Sequence, residues 1–195
     1  MYTAPPRRRI RFSLTLLTLI SAFTTVTLLG NPHDARADST LGPSGPLRVV
    51  VISDLNERYG DQFYRKEVHT AVWRIRALKP HLIVITGDMV AGQRAGLDYE
   101  GMWDAFDEAI RGPLADIPIL VTPGNHDASE YSAYEAERDI YRQRWDNWPS
   151  PADFEGVEIL PGGDYPFHYA ARVGPAVFVS LDATARGALD SEQRQ

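Results

Sequence analysis

Three short apolar runs, separated by two segments of helical periodicity, constrain the fold of this chain more than any other feature. The runs at 47–52 (LRVVVI), 81–86 (HLIVIT) and 117–122 (IPILVT) have the length and the β-branched content of buried strands. Between them, apolar residues recur at helical spacing over 63–79 and 102–114. Alternating strands and helices are typical of βαβ units, so the sequence predicts an α/β fold with a parallel sheet and right-handed crossovers.

Two further segments extend the predicted fold. Helical spacing recurs over 129–145, and strand-like runs at 167–172 and 176–181 flank Val173-Gly174-Pro175, which predicts a β-hairpin. The chain has 195 residues and no cysteine. The absence of cysteine excludes a disulfide scaffold, a cysteine nucleophile and a Cys-ligated metal site.

The first 37 residues have the composition of a secretory signal. The basic run RRRIR at 7–11 precedes an uncharged stretch at 12–30, and Ala35-Arg36-Ala37 supplies an A-x-A cleavage site. We predict a signal peptide over 1–37, with an uncleaved membrane anchor over 12–30 as the alternative. Residues 38–46 are predicted to be a linker, and residues 47–195 the functional domain. The expected location is the periplasm or the exterior, with a membrane partner only if the N-terminal segment is uncleaved.

The charge balance argues against polyanionic partners. The full chain has a net charge of −6, and removing residues 1–37 takes away five of its 20 basic residues and one of its 26 acidic residues. The remaining net charge of −10 gives no electrostatic reason to bind nucleic acid.

Polar residues follow each of the three predicted parallel strands. They are carboxylate, amide and imidazole side chains: Asp54, Asn56, Asp88, Asn125, His126 and Asp127. Parallel sheets bind ligands beyond the carboxyl ends of their strands, so these side chains are expected at one rim. Such donors suit Mn, Fe or Zn, and neighbouring carboxylates repel each other unless a cation lies between them. The pattern favours a metal site, and turn formation is the structural alternative for each aspartate alone.

The same residues carry a family resemblance. Asp54-x-Asn56, Gly87-Asp88 and Gly124-Asn125-His126-Asp127 resemble the first three motifs of the calcineurin-like metallophosphoesterases, written D-x-H, G-D and G-N-H-[DE]. The spacing fits, with 34 residues from Asp54 to Asp88 and 37 from Asp88 to Asn125. The resemblance covers residues 47–195 and implies a layered α/β fold, in which helices flank a central mixed sheet.

The resemblance also implies a metal-ligand set. By analogy with the family, Asp54 binds the first metal, Asp88 bridges both metals, and Asn125 binds the second. Asn56 stands where the family usually has a histidine ligand, and its amide oxygen favours a harder ion such as Mn. The implied cofactor is a pair of divalent ions, Mn, Fe or Zn.

The implied chemistry is phosphoester hydrolysis. In the family, a metal-bound hydroxide attacks phosphorus in line, which predicts hydrolysis of phosphomonoesters or phosphodiesters. His126 would lie over the substrate phosphate, and Asp127 would orient His126. The sequence does not identify the class of phosphorylated substrate.

The chain departs from the family pattern after His126. The family needs three further histidines, one alone and then G-H-x-H, whereas only His168 follows here. We therefore expect this chain to be the N-terminal portion of a longer phosphoesterase, with the C-terminal part of the fold missing. The alternative is a truncated or non-catalytic relative that binds metal weakly or binds only a partner.

Two other groups have open or structural interpretations. Arg58, Tyr59 and Tyr64 follow the first motif, where they either border the site or lie on the surface. The acidic side chains at 135, 137 and 139 predict a solvated helix face.

Overall fold

The computed structural model describes residues 46–185 and 189–194. The predicted signal peptide, the alternative anchor over 12–30 and all but the last residue of the linker lie outside these residues. Of the helices that the structure describes, none combines the length and apolar character required to cross a bilayer.

The first three strands form the predicted parallel sheet. They are β1 (Val49–Ile52), β2 (Leu82–Ile85) and β3 (Ile119–Val121), in the spatial order β1-β2-β3. Both pairings are parallel, because each connection returns the chain to the same end of the sheet. The predicted α/β class, with a parallel sheet and flanking helices, is confirmed.

Four α-helices occur in the described residues. They are α1 (Lys66–Leu78), α2 (Tyr99–Phe106), α3 (Asn125–Ala128) and α4 (Glu135–Asp146). After α2 the chain continues through a π-helical turn, Asp107–Arg111, and a 3₁₀ turn, Gly112–Leu114, so the helix predicted over 102–114 is in fact a composite. Lys79 ends α1 in the left-handed conformation, directly before Pro80.

The remaining strands form a second, antiparallel sheet. It contains β4 (Val157–Ile159), β5 (Tyr169–Val173) and β6 (Ala176–Ser180), in the order β4-β5-β6. The hairpin β5–β6 follows the prediction, whereas β4 was not predicted. The parallel strands and the antiparallel strands therefore form two separate sheets. Within the second sheet, the two-residue turn between β5 and β6 permits only antiparallel pairing.

Alternate residues of the parallel sheet belong to two different cores. Ile83 and Ile85 of β2 pack in a cluster with Trp103, while Leu82 packs with Tyr169 of the antiparallel sheet. Side chains alternate along a strand, so helices cover one face of the parallel sheet and the antiparallel sheet covers the other. The loops after β1, β2 and β3 consequently lie together at one rim.

Candidate metal and phosphoester site

The loops after β1 and β2 are joined through their backbones. The N–H of Asp54 donates to the carbonyl of Gly87 over 3.2 Å. The N–H groups of Leu55 and Asn56 both donate to the carbonyl of Asp88, over 2.9 and 3.1 Å. These bonds hold the first two motifs in fixed register.

Two glycines allow the loops after β2 and β3 to approach closely. Gly87 has a φ of +95°, and a Cβ there would lie 2.6 Å from the Cα of Gly124. A Cβ on Gly124 would lie 2.2 Å from both the backbone nitrogen and Oδ1 of Asp88. A side chain at either position would push the Gly-Asp motif away from the Gly-Asn-His-Asp motif.

A cleft of about 300 Å³ lies at this rim, and we call it the strand-end cleft. Its lining residues are Ser53, Asp54, Thr86, Asp88, Thr122, Pro123, Gly124, Asn125, Leu181, Ala183 and Thr184. The lining therefore contains two carboxylates, one amide and four hydroxyls, and no basic side chain of the described residues.

Asp54 and Asp88 are held in an unusual backbone conformation. Both have a φ of +53°, in the left-handed region that aspartate tolerates better than most residues. Oδ1 of Asp88 accepts a hydrogen bond from the backbone N–H of His126 over 3.2 Å, and the Ser53 hydroxyl donates to Oδ2 of Asp54. Strained residues that persist at a cleft are typical of functional sites.

The amide of Asn125 is oriented by a neighbouring side chain. Its Nδ2 donates to Oε1 of Gln93 over 2.9 Å, which leaves its own carbonyl oxygen as an available donor to a cation. The backbone N–H of Gln93 donates in turn to Oε2 of Glu137 over 3.3 Å. Glu137 is only 6% exposed, so the prediction of a solvated helix face is wrong at this position. Burial raises the pKa of Glu137.

Asn56 does not line the strand-end cleft. Its Nδ2 donates to the carbonyl of Val90 over 3.2 Å, in a half-buried position. The structure thus brings Asp54, Asp88 and Asn125 to one cleft and places Asn56 against the loop after β2.

The ring of His126 is oriented by a backbone carbonyl. Its Nδ1 lies 2.8 Å from the carbonyl oxygen of Gly92. A carbonyl can only accept, so we assign the proton to Nδ1, which leaves Nε2 as the free nitrogen of the neutral ring. The ring also lies against Tyr59, with centroids 5.3 Å apart. Tyr59 is 53% exposed, and neither its ring nor that of His126 lines the strand-end cleft. Tyr64 is half-buried and donates its hydroxyl to the carbonyl of Met89 over 2.7 Å.

Asp127 is fully buried and links two loops. Oδ1 accepts from the backbone N–H groups of Met89 and Val90 over 2.7 and 2.9 Å, and Oδ2 accepts from the N–H of Gly124 over 3.0 Å. Its partners are thus backbone amides, and Gly92 rather than Asp127 orients the His126 ring. Burial raises the pKa of Asp127 to about 7, against the opposing effect of these N–H groups.

The strand-end cleft fits a hard divalent cation. No basic side chain among the described residues lines the cleft beside its two carboxylates, so these carboxylates need a counter-charge, and oxygen donors suit Mg²⁺ or Mn²⁺. No group of three His, Cys, Asp or Glu residues converges within the part of the chain that the structure describes. Asp54, Asp88 and the amide oxygen of Asn125 are therefore the donors that would hold such an ion.

Three supporting residues were not identified from the sequence. Gly92 and Gln93 act through a backbone carbonyl and an uncharged amide, which no motif marks. Thr184 lines the cleft and donates its hydroxyl to Oδ1 of Asp182 over 2.7 Å. Applying the strand-end argument to β6, as well as to the parallel strands, would have pointed to Asp182 and Thr184.

The fold and the site together define a class of α/β protein that presents acidic and amide ligands at the carboxyl ends of parallel strands. The model of the family described as calcineurin-like phosphoesterase matches residues 47–181, and this chain belongs to that family. The predicted family is thereby confirmed, and with it the general character of a metal-dependent phosphoesterase domain. A search of curated proteins finds no match to the chain.

Proposed function

We propose that this protein hydrolyses phosphomonoesters or phosphodiesters in the strand-end cleft with the help of divalent cations. The observation that carries the proposal is the pair Asp54 and Asp88, two carboxylates in one cleft whose lining holds no basic residue of the described chain. Substrate phosphate is itself an anion, so it can enter such a cleft only when cations neutralise the carboxylates.

Asp54, Asp88 and Asn125 are the residues proposed to hold the metal. A divalent cation bound there supplies a Lewis acid that polarises the phosphoryl oxygen and lowers the pKa of water. We propose that two divalent ions bind, each of them Mn, Fe or Zn. The donors in the cleft are all oxygen atoms, which favours Mn.

His126 is proposed to assist the departure of the alcohol. Its Nδ1 is committed to the Gly92 carbonyl, so a proton on Nε2 of the charged ring is the one available for transfer. That proton can stabilise a phosphoryl oxygen by hydrogen bonding or pass to the leaving oxygen. Asp127 contributes by holding the loops after β2 and β3 together.

A rate measurement tests this proposal. The 195-residue chain is assayed on nitrophenyl phosphate and bis(nitrophenyl) phosphate with added Mn²⁺, alongside Asp88→Asn, His126→Asn and the exposed helix variant Asp139→Asn. We expect the first two variants to lose about 10²-fold or more in kcat/KM, the size typical of a lost catalytic group. Equal rates in the parent and all three variants would contradict the site.

A non-catalytic relative is the second candidate. It is favoured by the absence of any converging group of three His, Cys, Asp or Glu in the described residues. If the parent binds Mn²⁺ weakly, with the loss of binding in Asp88→Asn, yet hydrolyses neither ester, this candidate replaces the enzyme.

We also propose that the protein is exported. The support is the order of basic, uncharged and A-x-A segments over residues 1–37. Sequencing the N-terminus of the protein expressed in a bacterial host should give Asp38 as the first residue. An intact N-terminus in the membrane fraction would instead support the anchored alternative.

A further inference from the structure

The exposed residue Arg94 contacts the ring of Tyr59, which in turn contacts the ring of His126. The guanidinium carbon of Arg94 is 5.8 Å from the ring centroid of Tyr59, and the Tyr59 ring lies 5.3 Å from the His126 ring. Neither Arg94 nor Tyr59 lines the strand-end cleft, and Tyr59 is 53% exposed. His126 is not a lining residue of the cleft either, but it follows the lining residue Asn125 and its backbone N–H donates to Oδ1 of Asp88, which lines the cleft.

The backbone under this arginine is firmly held. The N–H of Arg94 donates to the hydroxyl of Tyr99 over 3.0 Å, and that hydroxyl donates back to the carbonyl of Arg94 over 3.3 Å. The N–H of Gly60 donates to the carbonyl of Ala91 over 2.9 Å, which ties the Tyr59 loop to the Arg94 loop. The backbone position of Arg94 is thus fixed by the fold, while its side chain stays exposed.

The guanidinium of Arg94 has no anionic partner within residues 46–185 and 189–194. It lies over the ring of Tyr59 in a weak cation–π interaction. Most other arginines near α2 and α4 pair with carboxylates, as Arg144 does with Glu100 and Asp104. In an acidic chain, an unpaired cation beside a phosphoester site is available to a ligand.

We propose that Arg94 and Tyr59 form a subsite for a second oxyanion, a carboxylate or a phosphate, on the organic part of the substrate. This inference rests on the proposed function, because His126 marks the side from which the alcohol leaves. A guanidinium binds an oxyanion through two parallel N–H groups, which an ammonium or an amide cannot reproduce. The Tyr59 ring lies between the Arg94 guanidinium and the His126 ring in this chain of contacts, and it acts as a positioning residue for the guanidinium.

Binding of non-hydrolysable phosphonates tests the subsite without requiring catalysis. Calorimetry with the 195-residue chain and Mn²⁺ compares phenylphosphonate with 3-carboxyphenylphosphonate and benzene-1,3-diphosphonate. We expect at least one of the doubly anionic ligands to bind about tenfold more tightly, the low end for a charge-assisted pair at an exposed site. The ligand with the larger preference identifies the oxyanion.

Matched variants assign the preference to Arg94. In Arg94→Gln the preference should disappear while phenylphosphonate affinity is unchanged, and Arg94→Lys should retain only part of it. Arg74→Gln removes the same charge from an exposed position on α1 and should leave the preference intact. An unchanged preference in Arg94→Gln, an equal weakening of all ligands, or no binding by any ligand overturns the proposal.

The two proposals fail in distinguishable ways. If the parent shows the Arg94-dependent preference but no hydrolysis of phenyl phosphate, the oxyanion subsite stands and the enzymatic function fails. If phenyl phosphate is hydrolysed equally well by the parent and Arg94→Gln and no preference is found, the function stands and the subsite fails.

Discussion

The backbone N–H of His126 donates a hydrogen bond to Oδ1 of Asp88 over 3.2 Å. The residue predicted to face the phosphate thus fixes the carboxylate predicted to lie between the metals. One oxygen of Asp88 is engaged by the protein, and the other remains for the cleft. Asparagine at position 88 can keep the oxygen that accepts from His126 while it removes the negative charge. The variant Asp88→Asn should therefore lose metal binding without losing the fold.

Removing the Asp88 charge should abolish stabilisation by metal. With Mn²⁺ at about 100 times its dissociation constant, the parent should gain about 2.7 kcal/mol of stability, and a chelator should reverse the gain. Asp88→Asn should show no such gain, because it removes one of the two carboxylates that line the cleft within residues 46–185 and 189–194. Thermal unfolding with and without Mn²⁺ measures this, with Asp139→Asn as the control that should behave like the parent.

The stability of the metal-free protein should fall as the pH is raised from about 4 to about 7. Burial raises the pKa of Asp127 to about 7, whereas an unfolded aspartate titrates near about 3.9. Between these values the folded state holds a proton that the unfolded state has released, so rising pH favours unfolding. A pKa difference of about three corresponds to roughly 4 kcal/mol at most.

Denaturant unfolding in the presence of a chelator measures this slope. Asp127→Asn carries no titrating proton, so its stability should depend less on pH across the same window. Its stability at pH 4 should nevertheless be lower than that of the parent, because the Nδ2 of asparagine cannot accept the hydrogen bond that the N–H of Gly124 donates to Oδ2. Identical pH slopes for the two proteins would show that Asp127 titrates normally.

Gly87→Ala should destabilise the protein by more than Gly96→Ala. Both glycines have a positive φ, of +95° and +79°, so each alanine carries a backbone cost of about 1–2 kcal/mol. Only at Gly87 does the new Cβ also overlap the Gly124 backbone, while nothing lies within 4 Å at Gly96. The overlap should add about 1–3 kcal/mol, as measured by denaturant unfolding. Equal losses would mean that the two loops separate without cost.

Tyr169→Phe should weaken the contact between the two sheets. The Tyr169 hydroxyl accepts from the N–H of Val121 over 2.8 Å and donates to its carbonyl over 2.9 Å. Phenylalanine leaves both buried backbone groups unpaired, at a cost of about 1–3 kcal/mol. Tyr165→Phe serves as the control, because its hydroxyl makes no hydrogen bond with the described residues, and it should cost clearly less.

The sequence predicted the parallel sheet and the placement of Asp54, Asp88 and Asn125 because periodicity and strand-end position are local properties. It did not predict β4, since its three residues are too few to show a period. The sequence also did not predict contacts that are made through backbone atoms. The Gly92 carbonyl that orients His126 is one such contact, because every residue has a carbonyl and only the folded chain selects one.

Tyr59 is another residue whose location depends on the folded chain and could not be predicted from a sequence pattern. Its position shortly after the first motif allowed either a surface or a site location, and the structure shows an exposed ring that contacts His126 without lining the strand-end cleft. Glu137 shows the opposite case, where a charged residue in a polar helix becomes buried because a distant N–H needs an acceptor.

The left-handed backbone at Asp54 and Asp88 also restricts how this site can evolve. At a φ of +53°, asparagine and glycine are the replacements that the backbone tolerates best, whereas a β-branched residue is strongly disfavoured. A lineage that loses selection for metal binding can therefore drift to Asn at either position and keep its fold. Inactive descendants of this protein should be recognisable by an Asn or Gly in these two places, with the surrounding loops unchanged.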